Sequence, residues 1–594
     1  MVVAIRCLIL MARRLTQVEK ELREIRQSMR TVNDNERQQI RNVADNGNPT
    51  STTVPSVGHP IKPSQPMPAA EGENNTTSSL PVGTIQGVEL ASQRINELLN
   101  EFFTGYHPYC PILPPQQKFL DYSKPCPLLF WTVLVTALRG KDEDRDLYST
   151  IADAVRSMAY DTIKPASASF HAMQALVLLC QWPLPFQRAH DPSLSFVTLA
   201  TNIGLRMGLH RPRHGNEYAN GTCLDSETEI LRRKTWVVCF ITNLSVNNGL
   251  GLPATVKLDQ GLLECLAAKP AWLPTRLHQQ LHLSRHALNI SSTLGNCESS
   301  STGLLPCATP VIRTFETELR ALECQFYTSW FATEYILFLG CRMTLYTFAL
   351  SADNNHNQGI PGSASSPSRP KGLDVGVEFQ SHWLSQAYVT ATATIQTSSG
   401  IHDQMFHAPS RVQKTLVNAV CFLLLLKYSR HHTLVEHSTL CDSITQGYLA
   451  LKGLSITPAD YISRACQLVD RFGKVSYDER LGRELGGDGD NSDRFLPVVS
   501  RMGTNLTLSA VFRARHWLAK TQEMAVVVAA TSAAATTTTT ATSSTTTFPI
   551  VHSLDRVQTT EPDTLVASGD GEIVSFDDIN WDELFSEMAG YADV

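Results

Sequence analysis

The sequence predicts an all-α protein of about a dozen helices, and three observations carry that prediction. Large apolar residues recur at steps of three and four through most of the stretch from Leu90 to Phe512, the pattern one face of a helix requires. No segment alternates apolar and polar residues with period two, and no Asn-Gly turn joins two apolar runs. Prolines such as Pro183 and Pro185 stand between apolar runs, where loss of a backbone donor ends one helix and lets the next begin.

The chain opens on a heptad pattern, in residues 1–41. Leu8, Met11, Leu15, Val18, Leu22, Ile25, Met29 and Val32 follow one another at alternating steps of three and four, so all lie on one seam of a helix. With Leu15 at an a position, the g-to-e′ pairs of a parallel homodimer are Arg14 with Glu19 and Glu21 with Arg26, both opposite in charge. The pattern predicts a coiled-coil dimerisation helix; a solvated amphipathic helix is the other reading. Residues 42–88 are rich in Asn, Thr, Ser, Pro and Gly and cannot bury enough surface to offset their ordering entropy, so they read as a disordered linker.

Residues 89–525 hold the helical domain. Helical periodicity runs over Leu90–Phe103, Leu128–Leu138, Leu147–Tyr160, Phe170–Cys180, Leu194–Leu209 and Glu229–Val246. It resumes over Phe315–Leu350, Trp383–Thr397, Val412–Tyr428 and Leu440–Leu451, with further segments to Phe512. Loops are expected near 295–306, 351–372 and 486–493, and no repeat period is evident. An Ala/Ser/Thr tract makes 526–560 a low-complexity linker.

Residues 561–594 are of a different character. No Lys or Arg follows Arg556, while acidic residues accumulate around Phe576, Ile579, Trp581, Leu584, Phe585 and Met588 in the string SFDDINWDELFSEMAG. Acids keep such a segment solvated, and the apolar side chains can dock as one face of a short helix in a partner's groove. The composition is that of an acidic activation segment that contacts a coactivator. A solvated C-terminal helix packing on its own domain and a partnerless solubility tail are the alternatives.

Composition and motif searches narrow the chemistry. Lys and Arg number 50 against 56 Asp and Glu, a net charge of −6, which excludes coating nucleic acid by bulk charge. Any DNA contact must come from a small dedicated module. The 14 Cys form no CxxC or CxC pair, and several, such as Cys180 and Cys421, sit inside apolar runs as small buried hydrophobes, the usage of a reducing compartment. The most apolar run, Val417–Leu426, is about half the length of a membrane span, so no membrane contact is expected.

The phosphate-binding, zinc-protease, nucleophile-elbow and dinucleotide motifs are missing; Gly249-Leu250-Gly251 follows a helix rather than a strand. Asp488, Asp490, Asn491 and Asp493 lack the glycine and glutamate of a calcium loop, and His402, His407, His431 and His432 lack companions at ligand spacing. No catalytic residue, no metal ligand and no enzymatic activity are expected.

The most informative stretch reads HAMQALVLLCQWPLPF, then LATNIGLRMGLHRPR, then ETEILRRKTWVVCFITNLSVNNGLGLPATV. It resembles the middle-homology regulatory domain of fungal zinc-binuclear-cluster (Zn2Cys6) transcription factors, in which an "A…GL(H)R" phrase precedes an acidic residue, a basic-Thr-Trp run and a Gly-x-Pro step. The matching residues are Ala200, Gly204, Leu205, Gly208, Leu209, His210 and Arg211, then Glu229, Arg232, Arg233, Lys234, Thr235, Trp236, Cys239 and Phe240, then Gly251 and Pro253. Phe102, Phe103, His107, Pro108, Pro111 and Leu113 look like the same domain's opening, and QALVLLCQWP is similar to the branch with regulators of leucine biosynthesis and secreted proteases. The resemblance covers about residues 90 to 480. Val237 replaces a second Trp of the family phrase, and Leu252 stands where Arg is usual.

Read from spacing alone, Trp236 and Phe240 share a helix face, and Arg232 and Arg233 can reach Glu227 or Glu229. The roles expected of these residues are fold-defining contacts. The resemblance implies a nuclear RNA polymerase II regulator, an activator specific to one pathway or gene cluster, acting as a homodimer or as a heterodimer with a related factor. The family's DNA reader is a six-cysteine cluster holding two zinc ions, and only Cys7 precedes the heptads here. Zinc is therefore expected only with a cluster upstream of this sequence. Otherwise the chain lacks its own DNA reader and heterodimerises with a full-length relative; a small-molecule-sensing helical module is the remaining alternative.

Overall fold

A computed structural model describes residues 83–514, apart from residues 86, 165–167, 186–190, 213, 215–216, 219–224, 307, 353–374, 430, 458–459, 475–494, 497–500 and 502–504. The heptad residues 8–32, the linker to residue 82 and the acidic segment lie outside the described residues. The expected all-α architecture is what forms. Among the described residues an antiparallel hairpin stands outside the helices, β1 (Gly83–Ile85) with β2 (Val88–Leu90), which pairs Gly83 with Leu90 and turns at Gly87 with φ of +81°. It buries Ile85 and Leu90 against the helices, across the expected linker boundary at residue 88.

Seven helices form a first group: α1 (Ser92–Glu101), α2 (Gln116–Ser123), α3 (Pro127–Ala137), α4 (Arg145–Asp161), α5 (Phe170–Gln181), α6 (Ser193–Arg206) and α7 (Ser226–Gly249). Their starts are chemically marked. Pro127 opens α3, where its missing amide proton costs nothing. Ser169 Oγ accepts from the Ala172 amide at the head of α5, and Asp225 Oδ1 accepts from Thr228 at the head of α7. The centre of the group is α5, buried at every position but His171 and packed by α3, α6 and α7.

Two helices follow, α8 (Gln260–Ala267) and α9 (Thr275–Gly295); α9 packs on α7 behind it and on α11 ahead. A second group holds α10 (Thr309–Gln325), α11 (Ala332–Ala352), α12 (Val375–Ser399), α13 (His402–His407), α14 (Ser410–Lys427), α15 (His437–Lys452), α16 (Tyr461–Lys474) and a helical segment at 506–514. Here α14 is the central helix, packed by α11, α12, α15 and α16. The groups also meet directly, since Trp182 Nε1 donates to His407 O at 3.0 Å and Tyr109 Oη to Gln404 O at 3.1 Å.

Two sequence expectations change. The helical stretch over Phe315–Leu350 is two helices separated by a turn at Phe326–Phe331, and α9 lies where no helix was expected. Both have the same physical cause, polar groups satisfied inside the fold. Gln279 Nε2 donates to Ser329 O at 2.8 Å, Gln280 Nε2 to Glu334 Oε1 at 2.7 Å, and the imidazoles of His278 and His282 lie 3.1 Å apart. Such residues share the buried face with Leu277, Leu281, Ile290 and Leu294 and break up the apolar pattern to be read.

Candidate functional site

The conspicuous motif residues meet where α6 ends against α7. Gly208 adopts φ of +71°; its amide donates to Leu205 O at 3.1 Å and the next amide, of Leu209, to Gly204 O at 3.0 Å. That is a Schellman ending, which satisfies carbonyls the last helical turn leaves open. The chain repeats it after α7, where Gly251 has φ of +65° and Gly251 and Leu252 donate to Asn248 and Asn247. Gly204 serves close approach instead: a Cβ there would stand 2.8 Å from Met173 Cε and 2.9 Å from the Trp236 ring. Leu209 is buried, whereas Leu205 and Pro253 reach solvent.

Arg232 and Arg233 divide their work. Buried Arg232 donates from Nη2 to Met207 O at 2.6 Å, placing a cation on the C-terminal carbonyls of α6. Burial pulls its guanidinium below the ordinary value, and Glu229 opposes that shift. Arg233 pairs with Glu229 at 3.2 Å and lies over the Trp272 ring. Glu227, the other acid within reach in the sequence, turns instead to Lys118 at 2.8 Å. Trp236 donates from Nε1 to Asp259 Oδ2 at 2.6 Å, while Asp259 Oδ1 caps α8 by accepting from Leu262 at 2.9 Å. Phe240, one turn on, is fully buried. A conformational penalty and a crowded Tyr218 ring at 2.5 Å both oppose a side chain at Gly208, so Gly208→Ala is expected to cost about 1–2 kcal/mol in denaturant titration.

Sequence reasoning missed the polar interior behind these residues. Gln174 Oε1 accepts from Tyr122 Oη at 2.8 Å, Gln181 Nε2 donates to Thr242 at 2.6 Å, and Asn243 Nδ2 donates to Thr201 at 3.1 Å and Thr255 at 2.7 Å. It also missed a cavity of about 520 Å³ where the two helix groups meet. Its wall includes Gln181 of α5, Thr242 of α7, Gln280 of α9, Thr347 of α11, Arg411 and Lys414 of α14, and Arg501.

Among the described residues no group of three or more His, Cys, Asp and Glu is placed to hold a metal ion, and every described cysteine is a free thiol. Burial pushes the thiols of Cys110, Cys239, Cys341 and Cys421 up to about 12, far from the thiolates a zinc cluster needs. The residues described do not fit two zinc ions. No helix among them is long and apolar enough to cross a membrane.

The pattern of the fungal specific transcription factor domain matches residues 99–282, from the last turns of α1 into the middle of α9. That stretch is similar to the fungal specific transcription factor domain. The family is one of transcription factors, not of enzymes. The transcriptional regulatory protein SEF1 of Candida albicans is 26% identical over 442 residues, covering 72% of this chain and 44% of SEF1. Regulatory protein LEU3 of Saccharomyces cerevisiae is 27% identical over 261 residues, 40% of this chain and 29% of LEU3. The chain spans less than half the length of the SEF1 relatives it matches. No solved structure matches it.

Gly204, Leu205, Gly208, Leu209, Arg232, Arg233, Trp236, Phe240 and Pro253 all fall inside the matched stretch. The structure brings Gly204 and Trp236 into contact and sets Arg232 on the end of α6, while Pro253 stands exposed beyond α7. The cavity straddles the edge of the match: its α5, α7 and Gln280 walls lie within 99–282, and its α11 and α14 walls lie beyond.

Proposed function

We propose that this chain is a nuclear transcription regulator that acts as a dimer and activates RNA polymerase II genes of one pathway or cluster. The observation that carries the proposal is the transcription factor domain at residues 99–282, inside a similarity to SEF1 that covers 72% of the chain. The heptad seam from Leu8 to Val32 supplies the dimer, homomeric or with a related factor, and the acidic segment around Trp581 supplies coactivator contact. DNA is reached through a six-cysteine cluster and its two zinc ions, carried upstream of this sequence or by the partner, because the cysteines here lack the paired spacing that binds them. A net charge of −6 supports that division of labour, since the chain has no surplus of cations for phosphate contacts.

The test tethers the whole chain to an unrelated DNA-binding domain upstream of a reporter. Transcription well above that of the DNA-binding domain alone is expected. Output at the background level would overturn the activator reading, and output below it would make the chain a repressor.

A further inference from the structure

We propose that the cavity between the two helix groups is a binding site for a small organic anion, a carboxylate or a phosphate ester, held by Arg411 and Lys414. Its volume of about 520 Å³ falls in the range of small-molecule sites. Its wall is amphiphilic, with Ile241, Leu283 and Leu337 offering an apolar surface and Thr344, Thr394 and Asn418 offering hydrogen-bonding groups. On that wall Arg411 and Lys414 face a single acid, Asp191.

Arg411 is the central observation. It lines the cavity half-buried, and its Nε, closed off from solvent, has no hydrogen-bond partner among the described residues. A buried guanidinium is costly unless paired, and burial here pulls it down to about 10. The carboxylate whose charge opposes that shift, Glu334, is already engaged, by Arg276 at 3.3 Å, Gln280 at 2.7 Å and Thr333 at 2.8 Å. Lys414, three residues on and so on the same face of α14, is only loosely held; its Nζ is 3.8 Å from Asp191 and lies over the Tyr461 ring. Arg501, which donates to the side chains of Asn248 and Asn296, stands on the same wall.

An oxyanion in the cavity would pair with the Arg411 guanidinium and displace the weak Asp191 contact of Lys414, forming charge-assisted hydrogen bonds. Because α5 and α7 form one side and α11, α12 and α14 the other, an occupant stabilises the packing of the two helix groups on each other. The inference goes beyond the regulatory reading and does not rest on it, since binding is measured without a reporter.

The experiment is thermal unfolding of the purified full chain with citrate or inorganic phosphate as probes, against sodium chloride at matched ionic strength. A saturable rise in Tm of about 2–4 °C is expected with at least one probe. A response to citrate alone makes the ligand a carboxylate, and a response to phosphate alone makes it a phosphate ester. Arg411→Gln should weaken binding at least tenfold in calorimetry, and so should Lys414→Met, whose partly exposed side chain makes it the safer variant for folding. Lys269→Met, at an exposed cation outside the cavity, should leave it unchanged. Equal binding by wild type and both cavity variants, or no rise beyond the chloride control, overturns the proposal.

Discussion

Alanine at Trp581, Leu584 and Phe585 together is expected to drop reporter activation by the tethered chain to background. Trp581, Leu584, Phe585 and Met588 stand at i, i+3, i+4 and i+7, the spacing of anchors on one face of a helix laid in a groove. Each large apolar side chain contributes about 1.5–3 kcal/mol when it leaves water, so removing three takes away most of a micromolar affinity of about 8 kcal/mol. The acids around them are expected to act differently, Asp577, Asp578, Asp582 and Glu583 raising the rate of encounter with a basic groove. Replacing Asp577 and Asp578 by Asn should therefore lower output only in part, and more at low salt than at high. Full output from the triple alanine variant would sink the activation reading of this segment.

The helices that could be read in advance are those whose ends carry chemical signals and whose faces are apolar. For α5 the expected start, Phe170, is the observed one, because Ser169 caps it and the run QALVLLCQW is apolar all round. Central α14, expected over Val412–Tyr428 and found at Ser410–Lys427, follows from the run VNAVCFLLLL and from Pro409 before it. In α9 the signals are mixed: Pro274 precedes it and Leu277, Leu281, Ile290 and Leu294 are buried, but Gln279 and Gln280 share the interior through partners some fifty residues away, which only the fold brings near.

The candidate sites divide in the same way. The glycines and basic residues of the matched stretch were singled out by the family phrase that carries them; the left-handed φ of Gly208 is a local requirement, whereas the carbonyl for Arg232 and the close approach at Gly204 come from other helices. Their geometry could not be read, since the partner of Trp236 is Asp259, beyond the turn that follows α7. The cavity was invisible altogether. Gln181 and Arg501 face the same space across more than three hundred positions of chain, and nothing in the string SRVQKTL marks Arg411 as a cation left without a buried acceptor.

Lysine at both Leu15 and Leu22 is expected to turn a dimer of the full chain into a monomer in sedimentation velocity. With Leu15 at a, Leu22 is the next a position, so in a parallel pair each leucine packs against its own copy. The double substitution removes four leucine side chains from the seam, about 1.5–3 kcal/mol apiece, and sets two ammonium groups against each other at two successive layers. A four-heptad seam has no reserve for such a loss, because its remaining layers hold only Met, Val, Ile and one further Leu, Leu8. Leu15→Val with Leu22→Val, which keeps the seam apolar and β-branched at a, should leave the dimer in place. A lysine variant that still sediments as a dimer would move the interface out of the heptads and into residues 83–514, where the helical surface would then have to bury on the order of 1,000 Å² or more between copies.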